Sequence, residues 1–219
     1  MILGIYGAGG LGRDILILAY QINKIENRWD DIVFIDDTNG VFKVKGTRVL
    51  SFDVAVILYT NKELEFIIGV GEPRYRKLLR EKVIKAKYRL TSMIHPSAMV
   101  SERDNISSGA IVCYNSFISC DVNIGVNVLV QPLACIGHDS HIGSDSVIST
   151  FVNIAGGCVI GNETYIGMQV PIKECTKIGN NTIIGMGSVV IKDIPDGVIA
   201  FGCPAKVIRE NIDNKVFNK

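Results

Sequence analysis

Isoleucine or valine occupies every sixth position from residue 94 to residue 190, with no break in the register. The series is Ile94, Val100, Ile106, Val112, Ile118, Ile124, Val130, Ile136, Ile142, Ile148, Ile154, Ile160, Ile166, Ile172, Ile178, Ile184 and Val190. A fixed short period means that each repeat buries its apolar residue only by stacking on its neighbours, as in a solenoid. A period of six fits neither a helical turn nor simple alternation. These seventeen hexapeptides therefore predict a parallel β-helix.

Two other positions of the hexapeptide agree with this prediction. The residue after the anchor is often glycine, which we expect to permit a tight corner. The fourth residue after the anchor is mostly small or β-branched, as suits short strands around a narrow core. The glycines are Gly125, Gly137, Gly143, Gly161, Gly167, Gly179 and Gly185. Glycine and β-branched residues at this frequency disfavour helices.

The first ninety residues follow a different pattern, in which apolar runs alternate with amphipathic stretches. Runs at residues 2–6, 32–35 and 66–70 read as strands, and residues 11–22 and 73–86 read as helices. Strands that alternate with helices predict a small parallel sheet. We therefore expect an α/β domain at 1–92, a β-helix at 93–195 and a C-terminal segment at 196–219, whose polar end from residue 211 reads as a frayed tail.

The opening of the chain, residues 7–12, matches the pattern GxGxxG. A full dinucleotide fold needs two mononucleotide halves, and the hexapeptides leave room for only one, a half-Rossmann βαβ unit. The glycine turn at Gly9, Gly10 and Leu11 would bring backbone amides to a phosphate at a helix start. Asp36 and Asp37 follow the second strand. They can accept hydrogen bonds from a base or a sugar. A glycine turn that only packs the helix on the strand is the alternative.

Composition narrows the function classes only slightly. The chain has 219 residues, is 47% hydrophobic and carries a formal net charge of +1, which argues against a nucleic-acid partner. The basic clusters Arg74-Arg76-Lys77 and Lys85-Lys87-Arg89 read as one solvated helix face. No apolar run approaches the length of a membrane span and the start lacks a basic signal region, so we expect a cytoplasmic protein.

Six cysteines show no CxxC spacing and fall at different positions of the hexapeptide. Neither a zinc site nor a disulfide framework is indicated, and we expect these residues to be buried as small apolar groups.

Five motifs together resemble one bacterial family of left-handed β-helix, hexapeptide-repeat sugar acetyltransferases. The motifs are residues 7–12, Asp36-Asp37, Ile94-His95-Pro96-Ser97, Gly137-His138-Asp139, and the tail of residues 202–209. The family includes sialic-acid O-acetyltransferases and N-acetyltransferases of nucleotide-linked 4-amino sugars. The resemblance implies three hexapeptides per left-handed turn, acetyl-CoA as co-substrate, and a homotrimer with the acyl-donor site between subunits. It also implies that the first domain holds the nucleotide through Gly9, Gly10, Leu11, Asp36, Asp37 and Gly71. Many relatives have histidine where this chain has Leu11, which leaves the substrate's identity open.

The same resemblance assigns the catalytic residues. It makes His138 the general base, and Asp139 can orient the ring and favour the imidazolium. The residue one turn later, at 138 + 18 = 156, is Gly156, which would leave space beside the imidazole and offer an amide to the developing oxyanion. The resemblance places the pantetheine arm near Met168, Gly185 and Met186. Val147 stands where some relatives have a second histidine that contacts the acyl donor, so we expect Val147 and Gly156 to contact it as well. A metal site is the alternative at His138 and His141, but His95 lies more than two turns away.

The sequence thus predicts an acetyl-CoA-dependent N-acetyltransferase, with no metal, that acts on the 4-amino group of a nucleotide-linked deoxyamino sugar in surface polysaccharide or lipopolysaccharide biosynthesis. O-acetylation of sialic acid or another sugar hydroxyl remains open, because both nucleophiles need the same base. A different class of function is also open, namely a subunit that binds the nucleotide sugar without catalysing a reaction. In that case His138 would be dispensable.

Overall fold

The computed structural model describes residues 1–38, 40, 42–101 and 105–217. The N-terminal domain comprises β1 (Ile2–Tyr6), α1 (Gly10–Glu26), β2 (Asp31–Ile35), β3 (Lys43–Val44), β4 (Thr47–Leu50), α2 (Phe52–Leu58), β5 (Leu64–Ile68) and α3 (Pro73–Lys85). Its sheet has the order β3-β4-β2-β1-β5, with parallel pairing throughout except in the β3–β4 hairpin. The predicted strands and helices are present. The sequence reading missed the β3–β4 hairpin and α2.

Two-residue strands build the second domain, and the chain ends in a longer hairpin. The strands are β6 (Met93–Ile94), β7 (Met99–Val100), β8 (Ile111–Val112), β9 (Phe117–Ile118), β10 (Asn123–Ile124), β11 (Leu129–Val130), β12 (Cys135–Ile136), β13 (His141–Ile142), β14 (Val147–Ile148), β15 (Asn153–Ile154), β16 (Val159–Ile160), β17 (Tyr165–Ile166), β18 (Pro171–Ile172), β19 (Lys177–Ile178), β20 (Ile183–Ile184), β21 (Val198–Gly202) and β22 (Ala205–Glu210).

These strands form a three-sided parallel β-helix, which confirms the predicted fold. The first face contains β6, β8, β11, β14, β17, β20, β21 and β22, the second β7, β9, β12, β15 and β18, and the third β10, β13, β16 and β19. Strands pair with partners eighteen residues away, as Leu129 does with Val147. The anchor side chains stack inside as one apolar core. Each such buried side chain contributes about 1.5–3 kcal/mol.

The corners do not use glycine as the sequence reading expected. Left-handed backbone conformations fall three residues after the anchor, for example at Asn127, Asp139 and Asp145, which have φ of 57°, 58° and 61°. Asparagine and aspartate tolerate this conformation better than other residues with a Cβ. The glycines directly after the anchors are needed for close approach instead. A Cβ at Gly143 would lie 2.5 Å from the backbone nitrogen of Asn162 in the next coil.

The last coil is shorter than the others, and it extends the β-helix past the predicted boundary at residue 195. Ile183 pairs with Ile199, a separation of sixteen residues instead of eighteen. Strand β21 therefore continues the first face to Gly202, and β22 folds back on it as an antiparallel partner. The boundary at 195 cuts through this coil.

The N-terminal domain covers the first face of the β-helix. Outward side chains Met93, Ile111, Leu129 and Val147 share one buried cluster with the apolar face of α1. Val147 is only 1% exposed. The prediction that Val147 contacts the acyl donor is therefore wrong for this chain, because a residue under α1 has no surface to offer.

Helix α3 is fastened to the corner between the third and first faces, and this overturns the prediction that its basic residues form one solvated face. The Arg76 side chain is fully buried. Its guanidinium donates to the carbonyls of Ile68 and Val70 and to the carbonyl and side-chain oxygens of Asn127, at 2.7–3.0 Å. Burial lowers the pKa of Arg76 to about 10, so the group stays charged at neutral pH.

Two further ion pairs continue along this corner. Arg80 forms a bidentate ion pair with the buried carboxylate of Asp145. Nζ of Lys77 lies 2.7 Å from Oε1 of Glu163. Asn127, Asp145 and Glu163 occupy equivalent positions in three successive coils. Each coil therefore has its own contact with α3.

The cysteines and the C-terminal segment also differ from expectation. Cys113 and Cys158 are buried and Cys135 is half-buried, but Cys120, Cys175 and Cys203 are exposed. All six thiols are free. The tail is not frayed through residue 217, because the backbone amides of Val216 and Phe217 donate to Glu72. The last two residues lie outside the described part of the chain.

Candidate active site

His138 lies on the corner between the second and third faces, and a carboxylate holds its imidazole. The Nδ1 atom is 2.7 Å from Oδ2 of Asp139. An ionised carboxylate only accepts, so Nδ1 is the donor, and in the neutral form of the ring Nε2 keeps a lone pair. The side chains of His138 and Asp139 are 63% and 64% exposed. Asp139 occupies a left-handed corner position, with φ of 58°.

Gly156 lies directly beside the imidazole, as the eighteen-residue spacing predicts. A Cβ at this position would lie 2.6 Å from Cε1 and 2.7 Å from Nε2 of His138. Such contacts are shorter than van der Waals contact allows, so a residue with a Cβ at position 156 would displace the imidazole from this position. The amide of the next residue, Gly157, donates to the His138 carbonyl at 2.7 Å and fixes the two coils together.

We expect Gly156→Ala to lower kcat by about 10–100-fold, because the methyl group must displace the imidazole from its position. Steady-state thiol release from acetyl-CoA measures the effect, and circular dichroism checks the fold. Gly40→Ala is the matched control, since a Cβ there meets no atom within 4 Å. Equal activity of the two variants would mean that the position of the ring is not needed.

The glycine turn of the N-terminal domain divides into packing and open positions. A Cβ at Gly12 would lie 1.9 Å from the Gly7 carbonyl oxygen, whereas Gly9 and Gly10 face open space. Gly9 and Gly10 are exposed at the N-terminus of α1, where no side chain caps the helix. Helix N-termini with free amides bind anions. Packing therefore explains Gly12, but it does not explain Gly9 or Gly10.

This difference gives a matched pair of variants. Gly9→Ala should leave the melting temperature unchanged and raise KM for a nucleotide sugar about tenfold, because a methyl group obstructs the phosphate's approach to the amides. Gly12→Ala should destabilise the domain by about 1–3 kcal/mol through overpacking. Thermal unfolding and initial rates distinguish the two effects. A Gly9→Ala enzyme with unchanged KM would leave the turn with a packing role only.

The two aspartates after β2 are engaged within the protein. Oδ2 of Asp36 accepts a hydrogen bond from the Ala8 amide at 3.0 Å, so this carboxylate holds the glycine turn. Asp37 accepts from the Tyr6 hydroxyl, the Lys82 ammonium and the Phe52 amide. Partial burial tends to raise the pKa of Asp37, but hydrogen bonds from Lys82 and Tyr6 outweigh it and hold that pKa below its ordinary value.

Sequence reasoning missed Tyr6 and Lys82 at this edge of the sheet. Burial and the nearby Asp37 raise the pKa of the Tyr6 hydroxyl well above its ordinary value, so it remains a donor. Tyr6 is the last residue of β1, and that position alone was a signal that it borders the turn. Lys82 gave no such signal, since it lies in a helix 45 residues from Asp37.

The predicted residues form three separate groups in one chain. His138, Asp139 and Gly156 occupy the corner opposite the first face. The glycine turn, Asp36, Asp37 and Gly71 belong to the domain that covers the first face, where a Cβ on Gly71 would lie 3.6 Å from Leu11. Met168, Gly185 and Met186 follow first-face strands at the first–second corner, with both methionines exposed. The width of the β-helix separates the turn from His138 of the same chain.

His141 lies near His138 in the sequence but faces elsewhere. It is the outward residue of β13 on the third face and borders a groove of about 550 Å³ with Lys177, Asp193 and Asp196. Within the described residues no group of three or more histidine, cysteine or acidic side chains could hold a metal ion. In the same part of the chain, no helix combines the length and the apolar character needed to cross a membrane.

Comparisons with known proteins agree with both halves of this architecture. The PglD N-terminal domain family matches residues 3–83, and the bacterial transferase hexapeptide (six repeats) family matches residues 157–192. GDP-perosamine N-acetyltransferase of Escherichia coli O157:H7 is 30% identical over 123 residues, which are 56% of this chain and 55% of that protein. The match thus spans about half the length of this curated relative.

Solved structures match over nearly the whole chain. PerB from Caulobacter crescentus, in complex with CoA and GDP-perosamine, is 26% identical with a TM-score of 0.85, and covers 95% of this chain and 97% of its own. The acetyltransferase domain of PglB from Neisseria gonorrhoeae, in complex with acetyl coenzyme A, is 28% identical with a TM-score of 0.84, and covers 94% and 98%. The fold and these structural relatives are those of hexapeptide-repeat acyltransferases. The chain is similar to sugar acetyltransferases of this class, and its first domain matches the PglD N-terminal domain.

Proposed function

We propose that the protein transfers the acetyl group of acetyl-CoA to the 4-amino group of a nucleotide-linked deoxyamino sugar. The observation that carries the proposal is the oriented His138–Asp139 pair beside Gly156, in a chain that also has an open glycine turn for a phosphate. The relative PerB binds CoA and GDP-perosamine, which makes GDP-perosamine the first substrate to test.

The proposed chemistry is direct transfer. The neutral amine attacks the thioester carbonyl while Nε2 of His138 accepts the proton that the nitrogen loses. Asp139 stabilises the imidazolium that forms, and the Gly156 amide is proposed to donate to the carbonyl oxygen as negative charge develops on it. The carbon–sulfur bond breaks, and the proton on His138 passes to the departing thiolate. The products are the amide and free CoA.

The assembly we propose is a homotrimer with composite sites. The N-terminal domain covers the face opposite His138, so a sugar held at its glycine turn must meet the base of a neighbouring subunit. Exposed Phe117, Leu133 and Phe151 on and beside the second face give this contact an apolar surface. Met168, Gly185 and Met186 are proposed to contact the acyl donor there. The proposed setting is surface polysaccharide or lipopolysaccharide biosynthesis in the cytoplasm.

The test is free-thiol release from acetyl-CoA with GDP-perosamine, UDP- and dTDP-linked 4-amino sugars, and free sialic acid. We expect turnover on a nucleotide-linked amino sugar and a product that survives mild alkali, since an amide does and an ester does not. Turnover on sialic acid alone would replace the proposal with O-acetylation. A wild-type protein that binds these sugars without releasing thiol would be a binding subunit.

A further inference from the structure

The C-terminal tail returns to the start of α3 and is held there by a buried carboxylate. Glu72 is 7% exposed, and both of its carboxylate oxygens lie 3.0 Å from the Val216 amide. The Phe217 amide donates to Oε2 at 3.1 Å. Glu72 precedes α3, yet its side chain does not cap that helix. A buried carboxylate requires hydrogen-bond donors, and here the tail supplies them.

This attachment places the Phe217 ring at the edge of the proposed nucleotide-sugar site. The ring packs edge-on against Tyr165, with ring centroids 5.7 Å apart. A Cβ on Gly71 would lie 3.8 Å from Cε2 of Phe217 and 3.6 Å from Cδ2 of Leu11. Leu11, Gly71 and Phe217 therefore form one continuous apolar wall beside the exposed glycine turn. Phe217 remains 45% exposed, so its ring has a free surface.

Sheet order indicates which part of the ligand meets this wall. Strand β1 lies between β2 and β5, so the glycine turn after β1 is central at the carboxyl edge. In folds of this type the phosphates lie at the central turn and the ribose lies beside the acidic residues that follow β2. The opposite direction, after β5, remains for the sugar beyond the phosphates. Gly71 and Phe217 lie on that side.

We propose that Phe217, held in place by Glu72, determines specificity by packing against the sugar ring of the nucleotide sugar. The inference rests on the proposed function and adds a residue and a ligand contact to it. An apolar aromatic ring suits the carbon-bound hydrogens and the methyl group of a deoxy sugar, and it offers nothing to a phosphate or a ribose hydroxyl. The tail thereby becomes part of the site.

Two measurements on Phe217→Ala test the inference. The first is steady-state kinetics with the panel sugar that the wild type uses. The second is binding of that nucleotide sugar and of its free nucleoside diphosphate. We expect KM for the nucleotide sugar to rise about tenfold, with kcat and KM for acetyl-CoA within twofold. Affinity for the nucleoside diphosphate should be unchanged, because the lost contact is to the sugar. Phe217→Leu should restore most of the affinity.

Ile212→Ala is the matched control, since Ile212 is 79% exposed in the same tail. It should match the wild type in every measurement. Unchanged KM in Phe217→Ala, or an equal loss of nucleoside diphosphate affinity, would overturn the inference while the proposed function stands. A wild type inactive on the whole panel would overturn both.

Discussion

His138→Ala should lower kcat by about 10²–10⁴-fold with the fold intact, because the variant removes the imidazole that we propose takes the amine's proton. The His138 side chain is 63% exposed, so its loss leaves no cavity and should change stability by less than about 0.5 kcal/mol. Thiol release from acetyl-CoA measures the rate, and thermal unfolding measures the stability. KM for either substrate should change little, since the proton transfer belongs to the transition state.

Two variants make this experiment specific. His141→Ala removes an exposed histidine from the neighbouring third face and should keep full activity. Asp139→Asn preserves the left-handed corner, which asparagine also tolerates, but removes the negative charge beside Nδ1. Its activity should fall below that of the wild type, because the imidazolium that forms during transfer loses the carboxylate that stabilises it. Turnover by His138→Ala at the wild-type rate would refute the proposed mechanism.

Arg76→Met should destabilise the protein by about 3–5 kcal/mol, the largest stability effect we expect from a single side chain. Methionine fills similar space but donates no hydrogen bond. The carbonyls of Ile68, Val70 and Asn127 would then be buried without donors, and each such loss costs about 1–3 kcal/mol. Urea unfolding at one fixed protein concentration gives the free energy.

Arg74→Met is the control for this experiment, because Arg74 lies on the same helix and is exposed. Among the described residues its guanidinium donates only to the Asp213 carbonyl, at 3.3 Å, so its loss should cost less than about 0.5 kcal/mol. If Arg76→Met were as stable as Arg74→Met, water would have to satisfy the three carbonyls. The domain interface would then not depend on this side chain.

The sequence predicts the β-helix and the His138–Gly156 contact well, because both follow from a strict period. Once eighteen residues make a coil, addition alone identifies Gly156 as the residue beside His138. It did not predict the burial of Arg76, since Arg74, Arg76 and Lys77 look alike in a charged helix and the partner Asn127 is 51 positions away. The sequence also led to the wrong prediction of a frayed tail, because no local pattern indicates that Glu72 accepts a hydrogen bond from the Val216 amide.

The corner glycines show a different limit. Glycine often follows the anchor directly, and aspartate or asparagine often lies two positions after that glycine. The sequence does not show which of these two positions adopts the left-handed backbone conformation. The structure assigns that conformation to Asp139 and its equivalents, and it assigns close coil contact to the glycines. A Cβ at Gly143 is excluded by the backbone nitrogen of Asn162 in the next coil, which would lie 2.5 Å from it. That contact cannot be predicted until the position of the next coil is known.

The contacts between α3 and three successive coils constrain how the gene for such a chain can change in length. Most solenoids gain or lose whole repeats without harm, since each repeat contacts only its neighbours. Here Arg76, Arg80 and Lys77 each contact a different coil, through Asn127, Asp145 and Glu163. Deleting or duplicating eighteen residues between 127 and 163 would leave a helix residue facing the wrong partner. An inserted repeat after Glu163 would spare these three contacts, but it would carry the C-terminal tail away from Glu72.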